Sequence, residues 1–261
     1  MATLRHKEWL KHPWTTAPGC QPQHSYVCSM KPGPGNLSVV VLGNSYAVRT
    51  FPALYEVLKN DYQSMKLVSM SEWNPLDVLN PKFTPQKCPE CQKHLASVTR
   101  TQSDVIFLIV RFLKNFVQPV TIALDKEPLT QGALGVLNSL SNATNNIVIS
   151  GMMTIFNFSV ASELNRRLWL KKGVDDIYEY PYQTFVDQQK YAKQRIDYLL
   201  TKCPKCSYYD IQAPFCNKQK KCRIFHKTSY LAYYTDDNHL SFKGNEVIMP
   251  SLKRFIKNLK L

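Results

Sequence analysis

Short apolar runs separated by amphipathic stretches set the pattern of this chain. Leu37-Ser-Val-Val-Val-Leu42 is β-branched and continuous, the signature of a strand buried on both faces. It ends at Gly43-Asn44-Ser45. Beyond it Val48, Phe51, Leu54, Tyr55 and Leu58 recur at three and four, the spacing of one helix face. Met65–Met70, Asp104–Val110, Asn146–Ser150 and Ser207–Ile211 read as further strands. Helical spacing recurs at about 127–141, 159–170 and 182–201. A closing amphipathic helix is expected at about 241–259, where Val247, Ile248, Leu252, Phe255, Ile256 and Leu259 alternate with lysines.

Strands and helices in alternation predict an α/β domain with a mainly parallel sheet. Residues 1–35 are rich in Pro, Gly, His and Trp and read as an irregular lead-in. Residues 36–261 read as one domain, with a loop-rich excursion at 71–98.

Composition narrows the class. The chain has 261 residues, 44% hydrophobic and 20% charged, enough for a sizeable core and unlike a disordered chain. Lys and Arg number 33 against 19 Asp and Glu, a formal charge of +14 that favours anionic partners. No window reaches the roughly 20 apolar residues of a membrane span. The run Asp104–Val110 stops at Arg111, and Met1–Lys7 has no apolar stretch of signal-peptide type behind it. Either the protein is intracellular or the chain is a piece of a longer product.

The eight cysteines fall in close pairs: Cys20/Cys28, Cys88/Cys91, Cys203/Cys206 and Cys216/Cys222. Local disulfides in an oxidising compartment fit this count. Two alternatives stand beside them. Cys88-Pro-Glu-Cys91 and Cys203-Pro-Lys-Cys206 could cross-connect, or could act as two zinc knuckles of a nucleic-acid-binding protein, with the basic cluster Lys218–Arg223 as its contact surface. The knuckles are more than 100 residues apart, against about 15–20 in typical ribbons.

The chemistry-bearing residues lie at opposite ends of the domain. Ser45 opens a helix at the carboxyl end of the first strand, where open α/β sheets bind ligands. Its Oγ is exposed there, and its backbone N–H belongs to an unpaired helix N-terminus that can face an oxyanion. Gly43 permits a tight turn or close backbone approach. Asp236-Asp-Asn-His239-Leu-Ser241 precedes the last helix. An Asp three residues before a His can hold Nδ1–H and leave Nε2 for a serine hydroxyl. Ser241 suits a helix cap.

Gly43-Asn44-Ser45 and Asp236-x-x-His239-Leu240-Ser241 together resemble the first and last blocks of the SGNH (GDSL-like) hydrolase superfamily. Over about residues 36–259 the chain is, more closely, similar to the SGNH domain carried C-terminal to acyltransferase-3 domains in nematode and bacterial O-acyltransferases. Cys203-Pro-Lys-Cys206, the Cys216/Cys222 pair and the run Ser229–Tyr234 fit that group. The resemblance implies a three-layer, flavodoxin-like fold and a site with Ser45 as nucleophile, His239 as base and Asp236 as its orienter. Acyl groups would pass from a donor to a hydroxyl acceptor or water. No cofactor, metal or nucleic acid is implied, and relatives place the domain on the outer or lumenal side of a membrane acyltransferase-3 partner. The chain departs from the pattern in three places. Asn44 stands where the family usually has Asp, no second-block glycine is found, and no Gly-x-Asn-Asp block supplies an oxyanion donor. Arg111 is the substitute candidate, and Asn157 a weaker one. A catalytically inactive binding module is the other reading of these departures.

Overall fold

The computed structural model describes residues 25–151, 155–259 and 261. Its main sheet has six strands: β1 (Ser25–Ser29), β2 (Leu37–Gly43), β3 (Tyr62–Met70), β4 (Ser103–Ile109), β5 (Thr144–Ser150) and β6 (Cys206–Tyr209). Their spatial order is β1-β3-β2-β4-β5-β6. All neighbours run parallel except β1, which pairs antiparallel with β3. The five parallel strands are the five that the apolar runs predict.

Burial explains why those runs are continuous. Along β2, Val39 and Val41 enter one core cluster, while Val40 and Leu42 enter the other. The first cluster lies under α1 (Ser45–Leu58), α4 (Val160–Trp169) and α7 (Phe242–Asn258). The second lies under α2 (Pro89–Thr99), α3 (Pro128–Ser141) and α6 (Tyr182–Lys202). Helices therefore cover both faces of a mainly parallel sheet, a three-layer α/β fold. With α5 (Asp175–Tyr178), seven α-helices are present among the described residues.

Two elements differ from the sequence reading. Ser25–Ser29, inside the segment read as an irregular lead-in, forms β1 on the sheet edge. It is short and one-sided: Cys28 is fully buried and Val27 exposed, so its apolar signal is a single alternation. Pro89–Thr99, inside the segment read as loop, is helix α2. Cys88 caps it, Pro89 starts it, and only Cys91 and Val98 are buried, too few to make a helical stripe.

The cysteine alternatives are also decided. Cys88–Cys91, Cys203–Cys206 and Cys216–Cys222 are joined as local disulfides. The two Cys-Pro-x-Cys motifs neither cross-connect nor bring four sulfurs together, which removes the knuckle arrangement on which the zinc reading rested. Cys28 is disulfide-bonded, and Cys20 lies outside the described residues.

A buried ion pair fixes the layer that holds the end of β4. Arg195 on α6 is 2% exposed and makes a two-pronged contact with Glu127, at 2.8 Å and 2.5 Å. Its remaining amine donates to the carbonyls of Phe116 and Gln118, both at 2.9 Å. One guanidinium thus ties α6 to the start of α3 and to the loop after β4. Glu127→Ala leaves that cation buried and unpaired. We expect a loss of about 3–5 kcal/mol in urea unfolding; a loss under about 1 kcal/mol would show that water reaches Arg195.

Candidate active site

Ser45 and His239 meet although 194 residues separate them. His239 Nε2 lies 2.8 Å from Ser45 Oγ, and His239 Nδ1 lies 2.8 Å from Asp236 Oδ2. The chain reaches this geometry by two local devices. On the nucleophile side, β2 ends at Gly43, where an added Cβ would stand 1.9 Å from the Ile109 carbonyl oxygen of β4. Only glycine lets β2 and β4 stay paired to their last residues here. Asn44 then caps α1, its Oδ1 accepting from Tyr46 N–H at 3.2 Å. Ser45 is the first helical residue, so its own N–H has no intrahelical acceptor.

On the base side, Asp236 folds the segment into a turn. Its Oδ1 accepts from the backbone N–H of Asn238 at 2.9 Å and of His239 at 2.7 Å, leaving Oδ2 for the imidazole. Thr235 N–H donates to the His239 carbonyl at 2.8 Å, closing the turn. Ser241 Oγ accepts from Gly244 N–H at 3.1 Å and starts α7, as its sequence position suggests. Asn245 on α7 donates to the Arg49 carbonyl on α1 at 2.8 Å, docking the two helices that carry the partners.

Arg111 follows β4 at the carboxyl edge of the sheet. Its backbone N–H donates to Asn44 Oδ1 at 3.4 Å, which sets it beside the nucleophile turn. Its Nε is buried and has no hydrogen-bond partner. Asn157 is exposed, and no hydrogen bond of its side chain joins it to Ser45 or His239 among the described residues. Sequence reasoning missed two neighbours. Ser69, at the end of β3, donates to the Asn44 carbonyl at 2.8 Å. Tyr46, 1% exposed, packs its ring 5.1 Å from that of His239. Burial pushes the Tyr46 hydroxyl pKa up; nearby Arg111 opposes this and Asp236 and Asp237 add to it. Position 46 follows a suspected nucleophile directly, which was the available signal for it.

The charge state of the site is set mainly at Asp236. Burial alone would raise its pKa. The hydrogen bonds from the His239 ring and from the two backbone N–H groups outweigh burial and hold it at about 2. Among the described residues, no group of three or more His, Cys, Asp or Glu is arranged to hold a metal ion.

The family model described as "SGNH domain (fused to AT3 domains)" matches residues 14–254. The chain belongs to this SGNH family. Among solved structures, the periplasmic domain of a lipopolysaccharide acetyltransferase from Salmonella ser. Paratyphi A is similar. It superposes with a TM-score of 0.61 at 15% identity, over 85% of this chain and 84% of that one. A GDSL-like lipase from Bacteroides thetaiotaomicron gives a TM-score of 0.40 at 12% identity, over 84% and 87% of the two chains. An acetylxylan esterase from Geobacillus stearothermophilus gives 0.43 at 12%, over 86% and 95%. At these identities the likeness concerns the fold. No curated protein matches the chain. For this SGNH domain the three-layer fold expected from the resemblance is found, with β2 inside the sheet and the Gly43–Ser45 turn at its carboxyl end.

The low pKa of Asp236 has a stability consequence. The unfolded carboxyl titrates near 3.8 and the folded one at about 2. A folded value below the unfolded one means that the ionised group stabilises the fold above about pH 4, and that this contribution fades as pH falls towards 2. Urea unfolding of the wild type and Asp236→Asn should therefore differ most at neutral pH and converge towards pH 2. A difference that does not change with pH contradicts the assignment.

Proposed function

We propose that this SGNH domain moves acyl groups through Ser45, His239 and Asp236, as an O-acyltransferase or esterase acting on hydroxyls of a glycan or small molecule. The reading rests above all on the 2.8 Å contact between Ser45 Oγ and His239 Nε2, with the imidazole held from behind by Asp236. The family match supports acyl chemistry, and its fusion to AT3 domains supports such a domain as the partner that supplies acyl groups.

In the first half of the reaction Ser45 Oγ attacks the carbonyl carbon of an acyl ester as its proton passes to His239 Nε2. The carbonyl electron pair moves onto oxygen. The Ser45 N–H faces that oxyanion, and Arg111 is the candidate second donor, supplying a cation with an unpartnered buried N–H. Collapse breaks the bond to the leaving alcohol, which takes the proton from Nε2, and the acyl group stays on Ser45. In the second half a hydroxyl of the acceptor, or water, attacks the acyl-serine. It gives its proton to Nε2, and Ser45 leaves with that proton. Asp236 stays ionised throughout, orienting the ring and facing the imidazolium. Gly43 and Asn44 shape the turn rather than the reaction.

Turnover of a short acyl ester tests this. Ser45→Ala and His239→Ala should each lower kcat/KM by about a thousandfold or more, with circular dichroism unchanged. A fluorophosphonate probe should label the wild type and not Ser45→Ala. Activity that survives both substitutions overturns the assignment. A folded wild type with neither labelling nor turnover points instead to a binding module.

A further inference from the structure

Three groups meet the His239 imidazole, and the catalytic scheme uses two of them. Asp236 holds the Nδ1 edge and Ser45 the Nε2 edge, each at 2.8 Å. Both contacts are made through ring nitrogens, at the edge of the imidazole. The third contact is of another kind. The Tyr46 ring centroid lies 5.1 Å from the imidazole centroid, with 42° between the planes. A ring packed against the imidazole at this distance restricts tilting of its plane, which hydrogen bonds at two ring nitrogens do not by themselves prevent.

Tyr46 is well placed to bear that load. It is 1% exposed and belongs to the core cluster of α1, α4 and α7. Its backbone N–H donates to the Asn44 cap, so it shares the first turn of α1 with the nucleophile. Its hydroxyl, by contrast, is buried and has no hydrogen-bond partner. A buried hydroxyl left unpaired costs about 1–3 kcal/mol, so bonding through the hydroxyl does not account for a tyrosine here. What remains is the aromatic ring, which packs beside the imidazole.

We propose that Tyr46 is a positioning residue, its ring fixing the imidazole plane of His239 so that Nε2 stays on Ser45 Oγ and Nδ1 on Asp236. The proposal rests on the catalytic reading above. Phenylalanine must then replace it and an aliphatic side chain must not. Steady-state kinetics and proton NMR of Tyr46→Phe and Tyr46→Leu test this. The NMR signal is the downfield resonance of the His239 Nδ1–H bound to Asp236, assigned by its loss in His239→Gln.

Expected are a Tyr46→Phe enzyme within about twofold of wild type with the resonance kept, and a Tyr46→Leu enzyme with kcat down about tenfold, KM within about twofold, and the resonance lost to exchange. If Tyr46→Leu fails to fold, Tyr46→Met, closer in volume, takes its place. The proposal is overturned if the aliphatic variant keeps wild-type kcat and the resonance. It is equally overturned if Tyr46→Phe loses as much as the aliphatic variant. If the wild type has no turnover, the catalytic reading fails, and the resonance alone decides whether Tyr46 holds the ring.

Discussion

Asn44 is the residue on which the ends of three adjacent strands converge. Its position closes β2, its carbonyl receives Ser69 from β3, and its side-chain oxygen receives the backbone of Arg111 after β4. The same oxygen caps α1 through Tyr46. A serine one residue further on inherits a position fixed from both sides of the sheet. The crevice of an open α/β sheet forms where connections leave in opposite directions. Here that is between β2, whose helix leads to β3, and β4, whose chain leads to β5. Asn44 holds the floor of that crevice, and Ser45, the proposed nucleophile, stands on it.

The base side depends on the opposite end of the chain and on a different principle. His239 lies outside the strands of the sheet. It is delivered by a turn that Asp236 organises with both carboxylate oxygens, one for the backbone and one for the ring. The same oxygen pair therefore builds the loop and orients the base, which couples local folding to the protonation state of a single side chain. The neighbouring segment is fastened to the same loop. Phe156 and Val160 donate backbone N–H groups to the carbonyls of Asp237 and Asp236. Docking of α7 on α1 then converts a local turn into a long-range contact.

Much of this was legible before any coordinates, and for a physical reason. Strands covered on both faces carry runs of buried apolar residues, such as Val39–Leu42 and Val105–Ile109, and such runs, longer or shorter, marked the five parallel strands. Ser45, Asp236 and His239 were legible because few residue types do that chemistry and each stood at an element boundary. Elements with one-sided or sparse burial were not legible. β1 buries one of its two faces at the sheet edge, and α2 is held by a cap, a proline and two buried side chains. Cysteine connectivity was closed to sequence reasoning because spacing permits several pairings and only the fold chooses among them. Tyr46 reads as an ordinary core aromatic, since a pattern of apolar positions cannot tell what a buried ring is packed against.

The departure at position 44 makes physical sense in this setting. Both hydrogen bonds recorded for the Asn44 side chain are accepted by Oδ1 from backbone N–H groups. A carboxylate or an amide can accept them equally, so the change from the family's usual Asp conserves the turn. The charge is what differs. An ionised residue beside Ser45 would add a second negative group near the place where an oxyanion must form, and it would draw on the positive charge of Arg111. With a neutral amide in the floor, the guanidinium keeps its field for whatever enters the crevice. The amide at position 44 and the unpartnered Nε of Arg111 thus belong to neighbouring positions at the end of the crevice, and under the proposed function the guanidinium is the group left to face an oxyanion.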